Sequence, residues 1–480
     1  MTSLSTSALP APSRQAAQWL KLGAVITTTF VVCWAIVLWY WHATNQNPGT
    51  GELALALFVL PLALLLGFWG GHKVITARTA ALPAAGLAKP ALASPATQAV
   101  AAAPAVAVLA MALRSPYGAS VDELASAIAD NEARADLDRE LVDDNGFPVM
   151  TARIDDAVDD TLQDEIAEWL ANLGMSAMDF TEEQWRALIL ATGVAGELAS
   201  VAATDCMPIE GQPPMLQLKL MLPQDWSVDV RRAATMWLKH TVSQYGWPDT
   251  SIATMEPEQL HLTSPTGVLA QLLPLPSADP KPLVAIVIAC ASLVGQESVD
   301  RLAANAALFN ASKGSGQIPG EGACGLLLTD LRQAESIHGT DIVMLGPLHE
   351  RRRDSSADDA RRLDSSLLLE LTEQLCKASA TELAQIAMIV ADTGHRPNRV
   401  LELMGLSAPA IQQVDAADDV VRVGMGSGSC GAVPFLTTLA LACHYARERG
   451  APVLCIGNED SYLRSAALVR PAHCAAEAST

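Results

Sequence analysis

Two uncharged apolar runs lie close together near the N-terminus, Leu22–Ala43 and Leu53–Gly71. Each approaches the ~20 residues a helix needs to cross ~30 Å of hydrocarbon. The pair therefore predicts a transmembrane helical hairpin over residues 22–71, with spans at 22–43 and 53–71. Trp39, Tyr40 and Trp41 close the first run and Trp69 closes the second. Their amphipathic rings suit the headgroup level, which makes them membrane-interface anchors. Pro61 lies inside the second run, where a membrane helix tolerates a kink. Arg14 and Lys21 precede the hairpin, Lys73, Arg78 and Lys89 follow it, and the loop Thr44–Glu52 carries no Lys or Arg. The positive-inside rule then puts the tail 1–21 and everything beyond the second span in the cytoplasm, as expected for a bacterial inner-membrane protein. A cleaved signal peptide is the rival reading, but the first run exceeds the usual 7–15-residue apolar stretch. Residues 72–105 are rich in Ala and Pro and read as a linker.

The rest of the chain is acidic. Net charge is -21, and nucleic-acid affinity draws on Lys and Arg neutralising phosphate, so no nucleic-acid partner is expected. The nine cysteines are scattered, without CxxC pairs or zinc-ligand spacing with His, which predicts neither a metal site nor a disulfide framework. Gly424–Gly431 is Gly/Ser-rich but lacks the Lys of a phosphate-binding loop, and Ser427 and Ser429 sit in no GxSxG elbow. No cofactor is expected.

From Val106 onward strands alternate with helices. Val106–Leu113, Met215–Leu222, Cys324–Leu328, Ile386–Ala391, Val420–Val423 and Pro452–Ile456 read as strands, and Leu283–Ala291 as a strand buried on both faces. Helices are predicted after the N-cap Ser120, with Glu123 completing a capping box, and over Ser227–Tyr245, Ser365–Ser379, Arg399–Met404 and Ala432–Arg449. This alternation predicts a sheet covered by helices on both faces.

Four segments resemble β-ketoacyl synthases: Val108–Ile128 (VLAMALRSPYGASVDELASAI), Leu283–Leu302 (LVAIVIACASLVGQESVDRL), Ile318–Leu328 (IPGEGACGLLL) and Gly424–Asp460 with its Gly-rich turn, long helix and strand. The resemblance implies an α/β, thiolase-like layered αβαβα domain in two halves, residues 106–330 and 331–480. It also implies homodimerisation through a sheet edge.

The synthase route requires a Cys nucleophile at a helix N-terminus and two His residues that stabilise the thioester oxyanion. By this resemblance the first His belongs at the end of the Ile386 strand, where the chain reads Ala391-Asp392-Thr393-Gly394-His395. The second belongs at Gly428. Cys290, in Ala289-Cys290-Ala291-Ser292, looks like the nucleophile segment but lies too close to the Pro319-Gly320-Glu321-Gly322 turn. Counting back from that turn points to Gly246–Ser251, which holds no Cys. Cys290, Asp392, His395 and Gly428 are thus the positions of a degenerate synthase site, and no catalytic residue is assigned.

A second resemblance is narrower. Leu137–Arg153 (LDRELVDDNGFPVMTAR) and Leu216–Ile252 are similar to the type VI lipase adaptor family. It implies a non-catalytic, membrane-anchored adaptor whose partners are a phospholipase-type effector and the type VI secretion spike protein. Arg351, Arg352 and Arg353, in the mixed-charge segment His349–Arg362, are candidate interaction residues with Trp226 and Trp247, since Arg and Trp are enriched at interfaces. Solvated arginines and core tryptophans are the plainer alternatives. Two other functions remain open: an acyl-thioester condensing or transfer enzyme with a rearranged Cys290/His395 site, and an acyl-chain sensor using a vestigial tunnel.

Overall fold

The structure is a computed structural model and describes residues 104–175, 178–208, 211–255, 263–274, 282–338, 341–358, 364–472 and 474. The predicted spans 22–43 and 53–71, their anchors, the tail 1–21 and residues 72–103 of the linker lie outside the described residues. Among the described residues one helix, Glu182–Cys206, is long and apolar enough to cross a membrane. It is a core helix of the α/β domain.

The first half runs β1 (Val106–Arg114), α1 (Val121–Ala129), β2 (Asp136–Val142), β3 (Pro148–Thr151), α2 (Asp160–Asn172), α3 (Glu182–Cys206), β4 (Leu216–Met221), α4 (Val228–Ser243), β5 (Ile252–Thr254), α5 (Pro265–Ala270), β6 (Val284–Ser292), α6 (Gln296–Ala304) and β7 (Glu321–Thr329). The second runs α7 (Leu331–His338), β8 (Val343–Arg352), α8 (Ser366–Ser379), β9 (Met388–Ala391), α9 (Pro397–Ala410), β10 (Val420–Arg422), α10 (Gly424–Ser427), α11 (Val433–Arg449), β11 (Val453–Gly457) and β12 (Leu463–Pro471).

Helix starts follow local chemistry. Ser120 accepts the Glu123 N–H at 3.2 Å, while the Glu123 carboxylate reaches back to the Ala119 N–H at 2.8 Å. That is one residue beyond the usual capping-box target. Ser227 caps α4 in the same way through Val230.

Strand order is β10-β9-β11-β12-β8-β1-β7-β6-β4-β5. It contains one arrangement twice, β1-β7-β6-β4-β5 and β8-β12-β11-β9-β10. In each copy the first, last and fourth strands pair antiparallel, and the fourth, second and third pair parallel. The copies join through β1 and β8, antiparallel with Val106 opposite Leu345.

Alternation along the strands builds the layers. On β6, Val284, Ile286, Ile288 and Cys290 pack under α3 and α4, whereas Ala285, Val287, Ala289 and Ala291 face α11. On β11, Val453 and Cys455 also face α11, while Leu454 and Ile456 pack under α8 and α9. Helix α11 is therefore the central layer, between one half-sheet and the other. The order is helices, sheet, α11, sheet, helices, in agreement with the layered αβαβα expectation. Nearly every α11 residue from Val433 to Ala446 is buried, as a helix enclosed on all sides must be.

Candidate functional site

In the parallel strands of such a sheet, ligands bind beyond the carboxyl ends. A cleft of about 670 Å³ opens there, lined from both halves. The first half contributes Ser264 and Thr266 at the start of α5 and Ala291–Leu293 at the end of β6. The second contributes Asp392 past β9, Glu459 past β11 and the strap Gly428–Ala432 that leads into α11.

The strap is held by the Pro319-Gly320-Glu321-Gly322 turn. The Ser429 N–H donates to Ile318 O at 2.7 Å, and the Gly320 N–H donates to Ser429 O at 3.2 Å. A Cβ on Gly320 would lie 2.0 Å from Ser427 O, so the approach requires glycine. Gly428 itself has φ +60°. Glu321 is fully buried, gripped by Arg186 at 2.8 Å and 2.5 Å, and also accepts from the Ile154 N–H and the Ser292 hydroxyl. Both Glu321 oxygens are engaged by Arg186, Ile154 and Ser292, which gives the carboxylate a structural role at the edge of the cleft.

Asp392 is the first residue past β9 and is about nine-tenths buried. Its Oδ1 accepts the main-chain N–H groups of Asn458 and Glu459 at 2.8 and 3.0 Å. Burial, with the Glu459 charge beside it, pushes its carboxyl up to about 7. Glu459 is held by Arg396 Nε at 2.8 Å and the Gly394 N–H at 2.8 Å. This corner holds two carboxylates and a guanidinium. His395 points elsewhere: its Nε2 lies 2.8 Å from Gly316 O, its ring meets Phe309 edge-on, and burial lowers its pKa.

The repeat locates the counterpart of a nucleophile helix. In the second half the helix between the third and fourth strands is α11, preceded by the strap. In the first half that place belongs to α5, six residues long, whose N-cap Ser264 accepts the Gly267 N–H at 3.0 Å. The repeat points to Ser264, whereas the count back from the Pro319-Gly320-Glu321-Gly322 turn points to Gly246–Ser251. Cys290 lies on the face of β6 turned away from the cleft, and burial raises its thiol to about 12. Among the described residues no hydrogen bond or ring contact joins Cys290 to His395. Cys430 is the cysteine lining the cleft. It is buried, its Sγ donates to Ser427 O at 3.4 Å, and burial raises its pKa further, which keeps it a thiol.

The candidate interaction residues divide. At the exposed end of β8, Arg351 pairs with Glu370 at 3.0 Å and Arg352 lies over the Tyr462 ring at 4.6 Å. Arg353 turns inward to Glu402 at 2.9 Å. Trp226 and Trp247 are 6% and 1% exposed and pack in the core beneath α3 and α4. Trp247 and Arg353 are thus held inside the domain, while Trp226, though nearly buried, borders the cleft. No motif marks Glu459, Arg396 and Ser264 as cleft residues, because only the folded connections after β11, β9 and β5 bring them to it.

No family model and no curated protein sequence matches this chain. Solved structures do match. The ketosynthase from module 6 of the bacillaene synthase of Bacillus subtilis 168 aligns with a TM-score of 0.52 at 13% identity, over 76% of this chain and 72% of that one. An oxazolomycin ketosynthase domain from Streptomyces albus JA3453 aligns with a TM-score of 0.51 at 10% identity, over 76% and 75% of the two chains. At such identities the likeness is one of architecture, and the domain from Val106 onward has the thiolase-like, ketosynthase α/β fold.

Proposed function

We propose that this domain is a synthase-fold binding scaffold rather than a condensing enzyme. We further propose that the protein is a membrane-anchored adaptor that holds a type VI secretion phospholipase effector in the cytoplasm for loading on the spike. The observation that carries the first part is the composition of the cleft. By the ketosynthase resemblance Asp392 and Gly428 stand where condensation requires imidazoles, and by the internal repeat Ser264 caps the helix where it requires a thiolate. While ionised, the Asp392 carboxylate only accepts hydrogen bonds and offers no donor to a thioester oxyanion.

The adaptor identity rests on the resemblance of Leu137–Arg153 and Leu216–Ile252. The first of these segments forms the β2–β3 hairpin, where Leu137 is 59% and Phe147 67% exposed. Large apolar side chains left in water, one towards each end of the hairpin, suit a docking surface. The two-span anchor and inner-membrane location belong to the same proposal.

Affinity capture of the tagged full-length protein from its own cells tests the reading. A lipase effector or spike protein should be recovered with the wild type and lost with Leu137→Asp/Phe147→Asp. Recovery of neither protein would refute the adaptor role.

A further inference from the structure

A second cavity of about 810 Å³ runs along β10, between α1, α9 and the end of α11. β10 is an edge strand. It pairs with β9 on one side through Val420–Arg422 and, among the described residues, has no strand on the other. In a strand, alternate residues turn their main-chain groups to opposite sides, so this edge presents unpaired N–H and C=O groups.

Two arginines line the groove, the exposed Arg134 and the half-buried Arg422. Burial and the nearby Arg134 charge lower the Arg422 pKa. Arg134 contacts the Asn131 side chain. Among the described residues no acceptor reaches Arg422, and no carboxylate pairs with either. The contrast with the rest of the domain is informative. The other half-buried or buried arginines have a carboxylate, as Arg186 has Glu321 and Arg464 has Glu402, or a main-chain carbonyl, as Arg470 has Ser379. A chain with 52 acidic residues has no shortage of partners. Leaving a half-buried cation unpaired costs stability, and placing a second beside it costs more.

The remaining charges cluster towards the α11 end, where His444 meets Asp122 at 2.9 Å and Arg449 meets Asp419 at 3.3 Å. Asp418 and Glu448 also line the groove. Between these polar parts the lining is apolar, with Met388, Met404, Met425 and Val400. Methionine adapts to varied apolar partners.

We infer that this groove docks an extended, acidic segment of a partner protein. The segment's main chain extends the sheet at β10, and one of its carboxylates lies between Arg134 and Arg422. Strand addition supplies affinity through main-chain bonds, and alternate side chains supply selectivity. Here the selectivity is for a carboxylate, because a bidentate guanidinium pairing is available for it. The inference rests on the adaptor reading only for the source of the segment.

The test uses purified full-length protein and a fluorescein-labelled octapeptide of alternating Val and Glu, with a Val/Gln peptide as control. The Glu peptide should saturate the protein, and the Gln peptide should bind roughly tenfold more weakly or worse. Arg422→Glu should weaken the Glu peptide by at least about tenfold while leaving the melting temperature within a few degrees of wild type. Arg422→Gln should fall between. Rising salt should weaken binding, and hydrogen exchange should slow at Val420–Arg422. Equal binding of the two peptides, an unchanged Arg422→Glu, or protection confined to another region would overturn the inference. Displacement by millimolar acetate or phosphate with no protection of β10 would mark a small-anion site and would also overturn it. The two readings fail separately. A refused peptide removes the groove while effector capture stands, and failed capture with a bound peptide removes the adaptor alone.

Discussion

Asp392 and Asn458 tie together the ends of two neighbouring parallel strands: the Asp392 carboxylate accepts the Asn458 main-chain N–H at 2.8 Å. The same oxygen accepts the Glu459 N–H. A carboxyl in this corner closes the connection past β9 onto the connection past β11 and forms the floor of the cleft.

The pH dependence follows from its position. Folding moves the Asp392 carboxyl from 3.8 to about 7. The folded state then binds more protons than the unfolded chain between those values, so this group's contribution falls as pH rises from about 4 to about 7 and is level above. The whole effect is of order 4 kcal/mol as an upper bound. Asp392→Asn keeps an acceptor oxygen but removes the titration. Relative to wild type, the variant should gain stability between pH 5 and pH 8, read by melting temperature at each pH. A constant difference across the range would contradict this origin of the shift.

The buried grip on Glu321 should dominate over surface pairs. Glu321→Ala leaves Arg186 charged in the core and should cost about 3–5 kcal/mol. Glu370→Ala breaks a half-exposed pair with Arg351 and should cost less than about 1 kcal/mol. Denaturant titration of both variants measures the contrast. Equal costs would show that the turn holding the strap does not depend on this pair.

Much of this frame is legible in the sequence and some of it is not. The run at β6 has apolar residues on both faces, so its burial is plain from composition alone. Helix α11 also reads directly, as do the caps at Ser120 and Ser227. Helix α3 does not, because its interior is Ala- and Gly-rich and buried on most sides, which leaves no single apolar stripe to detect. β8 and β12 are hidden for another reason. They carry Arg351, Arg352, Arg464 and Arg470, charges that read as loop. Arg464 is nevertheless buried against Glu402, a partner 62 positions away that only the fold supplies. At the cleft, Asp392 and Gly428 lie on connections that line it. The position of Ser264 is set by the length of the connections around β5, which no motif marks.

Gly320 should tolerate no side chain. Gly320→Ala puts a methyl group 2.0 Å from Ser427 O, so the strap must move or the turn must open. A loss of about 1–3 kcal/mol or more is expected, together with faster hydrogen exchange at 427–432. Wild-type stability in the variant would mean the strap already moves freely.

Thiol chemistry separates Cys290 from a catalytic nucleophile. In the native protein iodoacetamide should leave Cys290 unmodified over the time that modifies it fully in denaturant, because a buried thiol near 12 supplies almost no thiolate at neutral pH. Peptide mapping after labelling reads this. Rapid native labelling at Cys290 would favour the enzymatic alternative.

Intact-mass analysis of the purified full-length protein after incubation with an acyl-thioester tests the central claim most directly. A scaffold without thiolate and imidazoles in its cleft should keep its unmodified mass at neutral pH. A stoichiometric acyl adduct on a cysteine or serine of the cleft, formed before unfolding and discharged by a second substrate, would contradict it.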